Sequence, residues 1–246
     1  MPDAAAAVLD AVAPEPIVWV EVPGGSFEMG GEGGEADELP AHMVSLTAFE
    51  LMRTEVTVAQ YAGCVVAGDC TEPDIGADCN FGVAGREAHP VNCVDWDQAH
   101  DFAAYIGGGA HLPTEAEWEY SARSGGGVHK YPWGTWSATC ERAVMSDGGD
   151  GCGRSSTLPV CSKSAGNSAQ GACDLAGNVW EWVEDWYHDS YAGAPADGSA
   201  YVSPAGSRRA FRGGSWGNDA GTLRARNRGL GAPSRRGGDL GFRLAR

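Results

Sequence analysis

Eight cysteines are the first residues with chemistry to offer: Cys64, Cys70, Cys79, Cys93, Cys140, Cys152, Cys161 and Cys173. Thiolates bind soft metals, and paired thiols form disulfides. No CxxC pair and no spaced Cys/His set is present, which argues against zinc. The even count, in Gly-, Asp- and Ser-rich contexts, points to disulfides and an oxidising compartment. Connectivity stays open among on the order of a hundred pairings. Proximity along the chain suggests Cys70–Cys79, Cys64–Cys93, Cys140–Cys152 and Cys161–Cys173. The histidines (His42, His89, His100, His111, His129 and His188) are scattered. Only His100 falls well inside a predicted helix. No GxSxG elbow supports a serine-hydrolase triad.

The second chemical signal is electrostatic. The chain carries a formal net charge of −16, yet residues 201–246 hold 10 arginines against Asp219 and Asp239. The stretch "RGGSWGNDAGTLRARNRG" (212–229) opens this basic region. The simple expectation is that the basic segment folds back onto the acidic body. The sharper one is an anion-binding face. A nucleic-acid partner is not expected, because the long-range negative field repels phosphate.

Elements must hold these residues in place. "PIVWVEVPGGSFEMG" (16–30) reads as a strand, a Pro-Gly-Gly turn and a second strand. "HMVSLTAFELM" (42–52) alternates like another. Three capping boxes open helices: Thr57 with Gln60, Asp95 with Gln98, and Thr114 with Glu117. Gly68, Gly107–Gly109 and Gly125 can stop them. Beyond residue 125 the chain reads mostly as turns with short apolar pieces. The expectation is a loop-rich α+β domain over residues 16–246, after a flexible N-terminal tail over residues 1–15. That tail has no basic n-region before an apolar core, so it is no intact signal peptide. An exported protein is expected, secreted, periplasmic or lipid-anchored, with its leader removed. No stretch approaches the length of a membrane helix.

Several motifs occur in one order: "GSFEMG", "EVTVAQYAGC", "HPVNCVDWDQA", "LPTEAEWEYSAR", "YPWG", "DLAGNVWEWVEDWY", "RGGSW" and "LGFRLAR". This set resembles the formylglycine-generating enzyme family, also called the sulfatase-modifying factor family, over residues 17–246. The resemblance implies a C-type-lectin-like fold, low in regular structure. It implies an oxidase that converts a protein cysteine to formylglycine with oxygen and a copper ion held by two cysteines. Those cysteines fall at Asn218 and Leu223 here, where neither residue can bind Cu(I). Copper is therefore not expected.

The resemblance also implies a structural calcium ion held by Asp174, the Gly177 and Val179 carbonyls, and Glu181. Such hard oxygens suit calcium. A second family calcium site falls at Val144 and near Cys152, where a Cys140–Cys152 bridge is expected instead. Some relatives are binding modules, including retroelement-diversified proteins. Between Gly217 and Asp239 every residue type present is reachable by varying the first two bases of an AAC codon. A GC-rich genome yields the same usage. The expected activity is therefore binding of a protein or peptide near residues 215–239. The contact set is Ser215, Trp216, Asn218, Asp219, Leu223, Arg224, Arg226 and Arg228. Arg224, Arg226 and Arg228 would share one face of a strand. Arg212 and Arg243, inside family motifs, are expected to be structural.

Overall fold

Helix starts are written locally, and all three capping boxes form. In the computed structural model, which describes residues 16–246, α1 spans Val58–Ala67, α2 Trp96–Ile106 and α3 Glu115–Ala122. Each N-cap side chain accepts from the N3 backbone while the N3 side chain accepts from the N-cap N–H. Gly68 ends α1 in the left-handed conformation, as only glycine does without strain. The expected tail, residues 1–15, lies outside the described residues.

The strands are arranged less locally. β1 (Trp19–Val22) and β2 (Gly25–Met29) follow one another but do not pair. β1 runs antiparallel to β4 (Phe49–Met52), and β2 to β3 (His42–Leu46). Residues 42–52 are thus two strands rather than one. Beyond residue 125 turns dominate, as expected, but the short apolar pieces pair into a sheet that the sequence reading did not foresee. A four-stranded sheet stands there in the order β7 (Arg228–Gly231), β6 (Arg209–Arg212), β5 (Trp180–Trp186) and β8 (Leu240–Gly241). Its strands are short, and two carry arginines at buried positions, which hides the usual apolar signature.

Tryptophans lock the layers together. Trp182 Nε1 donates to Val94 O at 3.2 Å and Trp96 Nε1 to Val183 O at 2.9 Å, tying β5 to α2 and the segment before it. The Arg209 guanidinium lies between Trp96 and Trp186, 3.7 and 3.6 Å from the ring centroids. The apolar core divides into a cluster around α1, α2 and Phe242, another around α3, and a smaller one around Tyr131 and Leu223.

All eight cysteines are bridged: Cys64–Cys70, Cys79–Cys93, Cys140–Cys152 and Cys161–Cys173. Two pairings match the expectation and two correct it. The cause is the turn at Gly68. The chain reverses there, and the Asp69 and Cys70 N–H groups both reach the Cys64 carbonyl. Cys70 is thereby brought to a Cα–Cα distance of 5.3 Å from Cys64, leaving Cys79 for Cys93. Four disulfides indicate an oxidising, extracytoplasmic environment. No helix among the described residues is long and apolar enough to cross a membrane.

His89 illustrates a structural histidine. Its Nδ1 lies 2.8 Å from Thr157 Oγ1. Burial, with help from the Arg86 charge, lowers its pKa to about 4. The unfolded chain takes up that proton near the ordinary histidine value of about 6.5. Stability supplied by the neutral ring is therefore present above about pH 6.5 and lost as pH falls towards 4. An NMR titration of the imidazole is expected to find His89 still neutral at pH 5.

Candidate functional site

The "RGGSW" loop leaves β6 at Arg212 and threads between two other loops. Gly213 O accepts from Gly177 N at 3.0 Å, and Trp216 N donates to Asn178 O at 2.9 Å. On the other side Trp216 O accepts from Gly151 N, and Asn218 O from Ser146 N, both at 2.8 Å. The Cys140–Cys152 bridge closes that second loop. Gly214 is obligatory twice over. Its φ is +73°, and a Cβ there would sit 2.7 Å from Leu223 Cδ1.

The sequence-derived contact residues separate into surface and support. Asp219 is exposed and folds its own turn, Oδ1 accepting from Gly221 N at 3.0 Å and Thr222 N at 3.2 Å. Trp216 is half-buried, with Nε1 donating to Gly238 O at 3.0 Å. Ser215 is buried, and its N–H and Oγ–H both donate to Asn218 Oδ1, at 2.9 and 2.8 Å. Asn218 is therefore a turn cap as well as a half-exposed side chain. Asn218→Ala orphans a buried N–H and is expected to cost about 1–3 kcal/mol. Asn218→Asp, which keeps the acceptor, is expected to cost less. Urea unfolding of both variants checks this. Asn218 is the first departure from the expected contact set, since its amide oxygen is already engaged within the loop.

Leu223 is a second correction. It is fully buried against Tyr131, Ala143, Met145 and Ala176, so it supports the loop from beneath and offers no contact surface. The three alternating arginines are a third. Residues 224–227 form turns, and only Arg228 lies on a strand. The three side chains part company. Arg224 clamps the buried Glu38 through two hydrogen bonds of 2.7 and 3.0 Å. Arg226 is half-buried beside Gly31. Arg228 turns inward to grip both oxygens of Glu115, at 2.6 and 2.9 Å.

That inward turn answers the charge asymmetry. Arg212 bridges Glu115 and Glu119 at 3.0 and 2.7 Å, and Arg123 joins Glu119 at 3.0 Å. Burial alone would raise the Glu115 carboxyl, but the Arg228 and Arg212 guanidiniums outweigh it and hold it below its usual value. Arg243 pairs with Glu181, Arg236 with Asp74 and Asp95, and Arg246 with Glu50. The basic segment is chiefly the internal counter-charge of the acidic body.

Glu181 holds an unexpected partner for a residue expected to bind calcium. Arg243 donates to both of its oxygens at 2.7 Å, and Trp118 Nε1 to Oε2 at 2.8 Å. Asp174 Oδ2 accepts from Cys161 N at 2.6 Å. The sequence reading missed Glu55. It is wholly buried, its Oε1 accepts from Asn178 Nδ2 at 3.1 Å, and its Oε2 has no hydrogen-bond partner. Its "EVT" motif gave no sign of this proximity. Burial and the neighbouring Asp174 push the Glu55 carboxyl well up; burial also raises Asp174. Among the described residues no trio of His, Cys, Asp or Glu is arranged to hold a metal. The donor set nevertheless fits calcium in chemistry, with hard oxygens and more carboxylates than Arg243 neutralises.

Residues 9–246 match the sulfatase-modifying factor enzyme 1-like domain. The chain is 31% identical to the formylglycine-generating enzyme of Streptomyces coelicolor, across 92% of this chain and 88% of that protein. It is 32% identical to the hercynine oxygenase of Mycolicibacterium smegmatis, across 92% of this chain and 60% of the other. Among solved structures, PvdO from Pseudomonas aeruginosa has a TM-score of 0.80 at 31% identity, covering 96% of this chain and 99% of that one. Treponema denticola variable protein 1 shares the fold at a TM-score of 0.71 and 24% identity, over 93% and 94% of the two chains. Motif order, fold and the match over residues 9–246 agree: the chain belongs to the sulfatase-modifying factor enzyme 1-like, or formylglycine-generating enzyme, family.

Proposed function

We propose that this family member is a non-catalytic binding module that recognises a protein or peptide through the surface near residues 215–239. One observation carries the reading: Asn218 and Leu223 stand where the family's oxidases keep their copper-binding cysteines. Asn218 is occupied as a turn cap and Leu223 as core, while all eight cysteines are in bridges. Soft sulfur is what Cu(I) requires, and an amide and an isobutyl group do not supply it. The exposed turn at Asp219, the half-buried Trp216 and the rim arginines supply the polar and aromatic chemistry that interfaces favour. The bridges suit work outside the cytoplasm, in a secreted, periplasmic or lipid-anchored setting.

The competing reading is a divergent oxidase, favoured by the 31% identity to a formylglycine-generating enzyme. Incubation with a cysteine-containing sulfatase peptide, copper and oxygen separates the two. No aldehyde is expected. Aldehyde formation, or stoichiometric copper on the purified protein, would establish the oxidase.

A structural calcium ion is part of the same proposal, held at Asp174, Glu55, Glu181 and the Gly177 and Val179 carbonyls. It would supply charge compensation alone. Calcium is expected to raise the melting temperature and EGTA to reverse the rise. An unchanged melting temperature would remove the ion from the proposal.

A further inference from the structure

Of the 10 arginines in residues 201–246, seven sit in ion pairs and Arg209 is held between two tryptophans. Besides Arg209, only Arg208 and Arg226 lack a carboxylate partner among the described residues. Arg208 is plainly exposed on the surface. Arg226 is different: it lines a hollow of about 250 Å³ together with Glu32, His129, Lys130, Thr135 and Arg224.

Two residues that line the hollow each carry a buried, unmatched nitrogen. Arg226 Nε and His129 Nδ1 both lack a hydrogen-bond partner. Buried polar atoms are seldom left so, because each forfeits the hydration it had in the unfolded chain. Lys130 Nζ adds charge from above the Tyr131 ring, 5.3 Å from its centroid, and forms no ion pair among the described residues. Arg224 is neutralised by Glu38, and Glu32 is the single acidic residue of the lining. The hollow is therefore cationic in a chain whose net charge is −16. Gly31 keeps this arrangement possible, since a Cβ there would lie 2.6 Å from Arg226 Nη1.

We propose that this hollow receives a side-chain carboxylate of an acidic peptide, whose neighbouring residues rest on Trp136 and Val128. The carboxylate would accept from the Arg226 guanidinium, which has no carboxylate of its own among the described residues, beside the Lys130 ammonium. Charge-assisted hydrogen bonds of this kind are the strong ones. The volume suits one side chain rather than a whole cofactor. A polyanion is disfavoured by the acidic body. Val128, 86% exposed, lines the hollow, and Trp136, 74% exposed, follows the lining residue Thr135, so both offer apolar surface to a peptide. The proposal rests on the reading that residues 215–239 form a binding surface, and it names the chemistry that surface selects.

The test uses a fluorescein-labelled peptide alternating glutamate with leucine, and the same peptide with glutamine for glutamate. The protein is the full chain, with bridges intact. Anisotropy is expected to show binding of the glutamate peptide, weakening with salt. Arg226→Gln and Thr135→Glu are each expected to weaken it by about ten-fold. Thr135 is exposed, so its substitution leaves the core untouched should Arg226→Gln disturb the loop. Arg208→Gln, equal in charge change but outside the hollow, is expected to have no effect. Equal binding of the glutamine peptide, unchanged affinity in both pocket variants, or an equal loss in Arg208→Gln would each overturn the proposal. Failure here with no aldehyde in the oxidation assay removes the pocket and leaves the non-catalytic reading. Aldehyde formation removes that reading independently of the peptide result.

Discussion

Glu115→Ala is expected to destabilise the protein by about 3–5 kcal/mol, the scale for breaking a buried ion pair from one side. Glu115 is the first residue of α3, and its carboxylate accepts from Arg212 on β6 and both Arg228 donors on β7. Alanine would leave Arg228 fully buried at its charged end with only the Asp37 and His188 carbonyls and the Tyr187 and Tyr191 ring faces. Arg212 would keep Glu119 and the Ala225 carbonyl. The double variant Glu115→Ala/Arg228→Met is expected to recover part of the loss, because no unpaired charge then remains at Arg228. Urea unfolding at pH 7 measures both. A loss below about 1 kcal/mol, the scale of exposed pairs, would mean that water reaches this network.

Arg243→Met is the second large effect expected, also at about 3–5 kcal/mol. Arg243 is completely buried and is the common counter-ion of Glu181, Glu55 and Asp174. It also donates to the Met52, Arg53 and Cys173 carbonyls, at 3.2, 3.3 and 2.8 Å, so it joins the β4 edge to the Cys161–Cys173 loop. Without it the carboxylates must hold protons or find another cation. The variant is therefore expected to be more stable at mildly acidic than at neutral pH. The sign follows from linkage: carboxyls raised in the folded state bind protons that the unfolded chain releases, so stability is lost as pH rises. Calcium is expected to rescue the variant more than the parent. Equal stability of parent and variant at pH 7 would show that the guanidinium contributes nothing net.

The parts of this fold legible in sequence are those decided within a few residues. Thr57, Asp95 and Thr114 declare their helices because a capping box is complete within one turn. The Cys140–Cys152 and Cys161–Cys173 bridges were legible because each closes its own loop. Cys64, Cys70, Cys79 and Cys93 were not, because the left-handed residue Gly68 decides which thiol comes near. The sheet of β5 to β8 escaped because Arg209, Arg212 and Arg228 occupy buried positions, where alternation rules expect apolar side chains. The partners of Arg212 and Arg228, Glu115 and Glu119, lie about ninety or more residues away in sequence, as the separations of 93, 97 and 113 show. At the site, the identities of Asn218 and Leu223 were visible, and their burial and bonding were not. A single sequence shows which atoms are available and leaves open which of them the core consumes.

The seam between β4 and residues 244–246 has a consequence for how the molecule comes into being. Met52 N donates to Leu244 O, while Glu50 N and Arg246 N exchange bonds with each other's carbonyls. Ala245 bridges both Leu51 and His111. The disulfides span only 6, 14, 12 and 12 residues, so none of them reaches across this seam. A nascent polypeptide can thus cap its helices and oxidise its loops early, yet must wait for residues 244–246 before its amino-terminal ribbon can be sealed. Assembly is a buckle whose two halves are made far apart in time, and a chain cut just before Leu244 should be left with that edge unbuckled.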